Sequence, residues 1–323
     1  MIWRRIFLGN PLIGFLIRKS KKWVIPGFQQ LPVYDVVIFF MQQINRVGLN
    51  DRAAAISFNL IMALPASLLF LFSLIPYFPQ AQKMELQVLA LFKDIAPNSA
   101  TYFFIKDLLD GLLDKHVGIF SFGFLLVLFY ASNAMMGVIR TFDKSIEEKK
   151  SYFMHQRWRA IRLTLLLIIL VVISVSLLLL GKNELIYVLK NVFHIKKSER
   201  IIWWNGTRWV TIVALLYFGI AFVYKYAPSL KKRWKLISPG AILATMLTLL
   251  TTLLFSYWVN HFAAYDKVYG SIGTVLILML LIYFNSLILL IGFELNVSIT
   301  VLTRQAMERQ EKEGQGASNS TEL

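Results

Sequence analysis

Long apolar runs separated by short polar segments set the pattern of this chain. About 20 apolar residues in helix cross a bilayer core of about 30 Å. Six runs reach that length, at roughly 53–76, 118–139, 160–180, 208–227, 239–262 and 271–300. Backbone groups in lipid must be satisfied within the segment, which makes each run a helix. The third is the most uniform, with no charged residue from Leu163 to Leu180. The first contains Pro65, which removes one helical hydrogen bond and predicts a bend or hinge. The fourth ends at Pro228, with Lys225 placed to snorkel, and the fifth opens on Pro239 and Gly240. Tyr269 and Gly270 fall between the last two runs, where a turn is expected.

The polar segments carry patterns of their own. Residues 33–47 are amphipathic, with Val33, Val37, Phe40, Ile44 and Val47 near one helical face. They predict a helix lying on the inner interface, within an N-terminal region of residues 1–52. Residues 80–116 contain two amphipathic stretches split by Pro97, expected as an outer helical hairpin. The six-helix domain then covers 53–302. Residues 303–323 are polar, and the stretch from Glu308, with its Gly, Ser and Asn, is expected to be disordered.

Composition supports the membrane reading. Hydrophobic residues make up 57% and charged residues 16%, against roughly 25% charged in an ordinary soluble domain. The net charge of +16 is unevenly placed. With the N-terminus inside, 23 Lys and Arg fall on the inner side and 11 on the outer. The positive-inside rule then puts both termini on the cytoplasmic side. Basic clusters at Arg18–Lys22 and Lys231–Lys235 lie beside membrane segments, with Trp23 and Trp234 next to them. Contact with anionic lipid headgroups explains them better than nucleic acid.

The second half also carries a family likeness. Its marks are Ala227-Pro228, Pro239-Gly240-Ala241, Tyr269-Gly270-Ser271 and Gly292-Phe293-Glu294-Leu295-Asn296, with Asn133-Ala134 earlier. In order and spacing, over roughly residues 35–302, the chain resembles the YihY/BrkB family of bacterial inner-membrane proteins. Phe293 stands where that family usually has a small residue, and Met136 where an acidic one is common. The resemblance implies a six-helix membrane protein. Members have been labelled ribonuclease BN, serum-resistance factors and candidate transporters, including of envelope lipids.

The residues themselves offer little for an enzyme. His116, His155, His194 and His261 lie in four separate segments without metal-ligand spacing. With no cysteine, thiolate chemistry and disulfides are excluded. Asp107, Asp110 and Asp114 share a helix face in the outer hairpin, as a solvated face would. No nucleotide or cofactor motif appears, and no cofactor is expected.

Polar groups inside the spans are therefore the candidate site, because lipid makes them costly without partners. In the fifth run Gly240, Ala244, Thr248, Thr252, Ser256 and Asn260 recur every four residues. This ridge predicts either close helix packing or one wall of a polar path. In the sixth, Asn285 and Asn296 share a face with Gly292, while Glu294 points away. Asn133 adds polarity to the second. Glu294 is the one carboxylate within an expected span, and its depth calls for a cation, with Arg140 expected first and Arg52 or Lys225 next. The polar interior and outer hairpin permit, and the family resemblance mainly implies, transport or export of an amphipathic, lipid-linked envelope component as the expected function. A non-catalytic membrane scaffold is the alternative, and a membrane-associated ribonuclease a third. Sequence leaves the oligomeric state open.

Overall fold

The computed structural model of the chain describes residues 19–21, 23, 27–29, 31–77, 86, 106, 117–146, 152–179, 204–230, 233–261 and 264–321. Among the described residues seven long helices carry the fold: α1 (Val33–Val47), α2 (Leu49–Leu74), α3 (Val117–Asp143), α4 (Phe153–Leu179), α5 (Trp204–Tyr226), α6 (Pro239–His261) and α7 (Ala264–Thr321). A short 3-10 turn, Ile75–Tyr77, closes α2. Among the described residues no strand occurs. Among the described residues four segments are long and apolar enough to cross a membrane: Leu49–Leu74, Phe122–Asp143, Pro239–Trp258 and Val275–Lys312. Val210–Tyr226 is a shorter apolar helix. The expected third span is helical as α4, but its first turns carry Arg157, Arg159 and Arg162. Apart from Leu86 and Lys106, the expected outer hairpin 80–116 lies outside the described residues.

Helices α2 to α7 pack as a ring in chain order, each against the next, and α7 closes it against α2. Successive helices run in opposite directions. One end, called proximal here, gathers Arg52, Asp143, Arg159, Tyr226 and Pro239. The other, distal end gathers Phe70 and Phe124, whose rings lie 5.8 Å apart. In lipid, apolar area gives helices little reason to associate, so close packing and hydrogen bonds must hold the ring. Both concentrate at the proximal end. Phe142 and Phe293 stack at 3.7 Å, Trp234 packs on Phe293 at 5.4 Å, and the Tyr224 hydroxyl donates to the Leu289 carbonyl at 2.7 Å. Phe142, Tyr224 and Phe293 are fully buried. The bulky Phe293, unusual by family likeness, thus forms the middle of an aromatic plug.

Helices α6 and α7 approach most closely through glycine. A Cβ placed on Gly240 would lie 2.0 Å from the Gly292 carbonyl oxygen, and one on Gly292 would lie 2.8 Å from the Ala244 Cβ. Only glycine at these positions lets the two backbones meet. Asn296 locks the same contact: its Oδ1 accepts from the Gly240 amide at 2.9 Å, and its Nδ2 donates to Ser238 Oγ at 3.0 Å. The Gly240 amide is one of the donors a helix start leaves without an internal partner, so Asn296 closes the α6 N-terminus from a neighbouring helix.

The outer parts of the fold depart from expectation in three ways. Helix α1 forms over the expected residues and turns into α2 through Gly48, whose φ of 64° suits glycine. Its buried face, however, is Val36 and Phe40, packed with Phe28 on Leu295 and Ile299 of α7. Val37 is exposed. Val33, Phe40 and Ile44 of the expected face pack in this cluster, Val36 joins them and Val37 falls outside, because α7, and not only a lipid surface, receives the helix. Second, Tyr269 and Gly270 lie inside α7 and form no turn or hinge; a single glycine costs a helix only about 1 kcal/mol. Third, the polar tail expected to lack structure continues α7 through Thr321. Residues 303–313 are rich in helix formers, and Arg304 pairs with Glu308 one turn on at 3.0 Å. At 58 residues, and about 1.5 Å per residue, α7 is far longer than a bilayer is thick.

Candidate functional site

Two arrangements inside the ring contain chemistry. The first is a proximal polar cluster around Glu294, which is completely buried. Ser145, just past the end of α3, donates its hydroxyl to Glu294 Oε1. Arg52 of α2 donates to the same Ser145 oxygen at 2.6 Å and stands 3.7 Å from Glu294 Oε1. Gln43 of α1 also faces the carboxylate. Glu294 Oε2 has no hydrogen-bond partner among the described residues. Such a group must be held by its neighbours, because an isolated buried carboxylate is very costly.

The expected first partner, Arg140, is not in this cluster. Its guanidinium lies over the Phe153 ring, 5.6 Å from the centroid. The correction has a simple cause. Val138 and Ile139 take the inward face of α3 and are wholly buried, and Arg140, about 100° further round, faces out. Depth along the helix placed Arg52 among the candidates, and the structure selects it. Lys225 packs against Tyr226 instead, 5.4 Å from the ring centroid.

A second proximal network was invisible in the sequence. Asp143 closes α3 and accepts from Arg159 at 3.0 Å. It also accepts from the Ser229 amide at 2.9 Å and the Ser229 hydroxyl at 3.0 Å. Arg159 also donates to the Ala227 carbonyl at 2.9 Å, an orphan acceptor at the end of α5. Pro228, expected to stop this helix, stands buried at that bend. Asn133 likewise has an unanticipated partner: its Oδ1 accepts from Arg157 at 2.5 Å. These pairs join residues far apart in sequence, and spacing along one helix carries no signal for them.

The second arrangement is a cavity of about 690 Å³ in the distal part of the ring, partly open and lined from all six helices. Leu60, Ala63 and Phe70 come from α2, Ala131 from α3, Thr164 and Leu167 from α4, and Ile220 from α5. Thr248 and Thr252 of α6 complete it with Asn285, Ser286 and Leu289 of α7. The wall is mainly apolar. Among the described lining residues none is charged. Two of its polar atoms, Thr164 Oγ1 and Asn285 Oδ1, are buried without a hydrogen-bond partner among the described residues.

The cavity divides the expected small-residue ridge on α6. Gly240 and Ala244 are buried in the contact with α7, whereas Thr248 and Thr252 line the cavity. Ser256 is exposed. Asn260 is helical, but its side chain lies outside the described residues. Asn285 and Asn296, expected on one face, have separate roles: Asn285 borders the cavity and Asn296 closes α6. Pro65 lies within α2 and is exposed, one residue past the cavity residue Leu64. Sequence reasoning found the two threonines and Asn285. It missed Thr164, which sits alone in an apolar run.

Comparison with known proteins agrees with this architecture. A profile of the family described as Virulence factor BrkB matches residues 40–317. The ribonuclease-like protein YfkH of Bacillus subtilis (strain 168) is 27% identical over 263 residues, covering 80% of this chain and 94% of that protein. The UPF0761 membrane protein NTHI0384 of Haemophilus influenzae (strain 86-028NP) is 22% identical, covering 83% and 96%. The UPF0761 membrane protein PSHAa0171 of Pseudoalteromonas translucida (strain TAC 125) is 34% identical over a shorter match, 28% of this chain and 31% of that protein. No solved structure matches. With the profile spanning most of the sequence and apolar helices to match, the chain is a membrane protein of the BrkB virulence-factor family.

Proposed function

We propose that this protein moves an amphipathic, lipid-linked component of the cell envelope across the inner membrane by way of the distal cavity. The carrying observation is the cavity itself: about 690 Å³, mainly apolar, with a few neutral polar groups, and bounded by all six ring helices. Small-molecule sites have this size and make-up, whereas a scaffold has no need of a hollow centre. The sequence has no nucleotide-binding motif, so the driving force is an ion gradient, a partner or downhill flow. The six ring helices act as six spans, with both termini and the proximal polar clusters on the cytoplasmic side.

Reconstitution tests the transport reading. Purified protein in proteoliposomes should speed the transbilayer movement of at least one fluorescent lipid from a panel of neutral and anionic headgroups, relative to protein-free vesicles. Rates equal to protein-free vesicles across the panel would refute it. The parent has no cysteine, which makes sidedness easy to read. A cysteine at Ser318 should resist an impermeant thiol reagent in intact spheroplasts and react after permeabilisation; labelling in intact spheroplasts would reverse the orientation.

A further inference from the structure

The cavity wall narrows the chemistry of what it holds. In most of the bundle, a hydroxyl buried on a helix is satisfied by the carbonyl one turn back. Ser67 donates to Ala63, Thr245 to Ala241 and Ser286 to Ile282, each at 2.8 Å. Thr164 is equally placed on α4 and only 2% exposed, yet its hydroxyl has no partner among the described residues. Asn285 spends its amide nitrogen on the Leu281 carbonyl at 2.9 Å and leaves its oxygen unpaired. A buried polar atom without a partner is costly, and here two occur in the wall of one cavity. They come from α4 and α7, helices three places apart round the ring.

We infer that the cavity binds a neutral lipid bearing a hydroxyl or amide N–H, of the acylglycerol type, with its chain against the apolar wall and its polar group between Thr164 and Asn285. Both side chains already line the wall, so a rotamer change is enough to bring each oxygen to a ligand. A hydroxyl on the ligand donates to Asn285 Oδ1 and accepts from the Thr164 hydroxyl. An anionic phosphate finds no counterpart, because none of the described lining residues is charged and an unpaired buried charge costs far more than an unpaired dipole. This inference rests on the transport reading only in using the same cavity.

The test compares radiolabelled 1-oleoylglycerol with 1-oleoyl-lysophosphatidate, equal in chain and different in charge, on the purified full-length protein in detergent. The wild type should bind oleoylglycerol at least about tenfold more tightly. Thr164→Val and Asn285→Leu should each weaken oleoylglycerol about fivefold or more, Thr164→Ser should restore it, and 1-octadecene, which has no polar group, should bind the same in all. Lysophosphatidate binding as tightly or more tightly, no measurable oleoylglycerol binding, or wild-type oleoylglycerol affinity in both variants would overturn the inference. The ligand ranking is read on wild type alone, so misfolded variants do not remove the test. The transport reading fails separately: a preference for oleoylglycerol without lipid movement refutes transport and leaves this site standing. Movement of anionic lipids without that preference does the reverse.

Discussion

The proximal and distal parts of the ring are built from the same six helices, yet they differ in kind. The proximal part is filled by an aromatic plug around Phe293, a glycine contact between α6 and α7, and polar networks that tie sequence-distant segments together. The distal part is hollow and lined by small and aliphatic residues. Because lipid tails are as apolar as leucine, burial gives these helices little net attraction. Geometry and hydrogen bonds must therefore hold the bundle, and they do so at one end. A bundle fixed at one end can keep a cavity at the other without collapsing. Stability and the proposed transport are thus assigned to different halves of the same helices.

The largest expected effect lies at the fixed end. Gly240→Ala places a methyl group about where the Gly292 carbonyl stands. Backbone must move, and the cost should reach or exceed the roughly 3 kcal/mol at the upper end of overpacking. Thermal unfolding in detergent should show a sharply lowered midpoint or no monodisperse protein. A midpoint equal to wild type would mean that α6 and α7 do not meet through these glycines.

The next effect concerns the buried carboxylate. Arg52→Gln leaves Glu294 without its cation, and Glu294→Gln removes the charge that Arg52 faces; each should cost about 3 kcal/mol. Combined, they should cost clearly less than the sum, since either one breaks the same contact. Arg140→Gln, outside the cluster, should stay within about 0.5 kcal/mol. A harmful Arg140→Gln beside a neutral Arg52→Gln would restore the partner that sequence depth first suggests.

A smaller effect sharpens the boundary between the halves. Ala244 is buried against α7, whereas Thr252 is exposed and lines the cavity. Ala244→Leu should destabilise by about 1–3 kcal/mol, while Thr252→Leu should change the midpoint little. Equal losses would mean that the small-residue ridge is packed along its whole length, as its regular spacing alone would suggest.

Much of this architecture is legible in the sequence, because hydropathy over twenty residues is a strong signal and proline and glycine punctuate it. The α6 ridge, the depth of Glu294 and the polarity of Asn285 were all visible. What spacing cannot encode is which helices become neighbours. Arg52 rather than Arg140 meets Glu294 because inward packing of Val138 and Ile139 turns Arg140 outward. Asp143 and Thr164 gained meaning only when helices distant in sequence came together. The turn expected at Tyr269 and Gly270 rests on a gap between two apolar runs, which a long helix spans, and the tail's composition hides first turns that favour helix.

The assignment of function to the hollow half is tested most directly by filling it. Ala131 lines the cavity from α3 and is not fully buried, so Ala131→Phe adds a ring to open space rather than to a packed contact. Lipid movement in proteoliposomes and thermal stability in detergent would be measured on the same preparation. The expected result is an unchanged or raised unfolding midpoint with lipid movement reduced at least about tenfold, equivalent to about 1.4 kcal/mol in the barrier. A stable Ala131→Phe protein that moves lipid at the wild-type rate would contradict it.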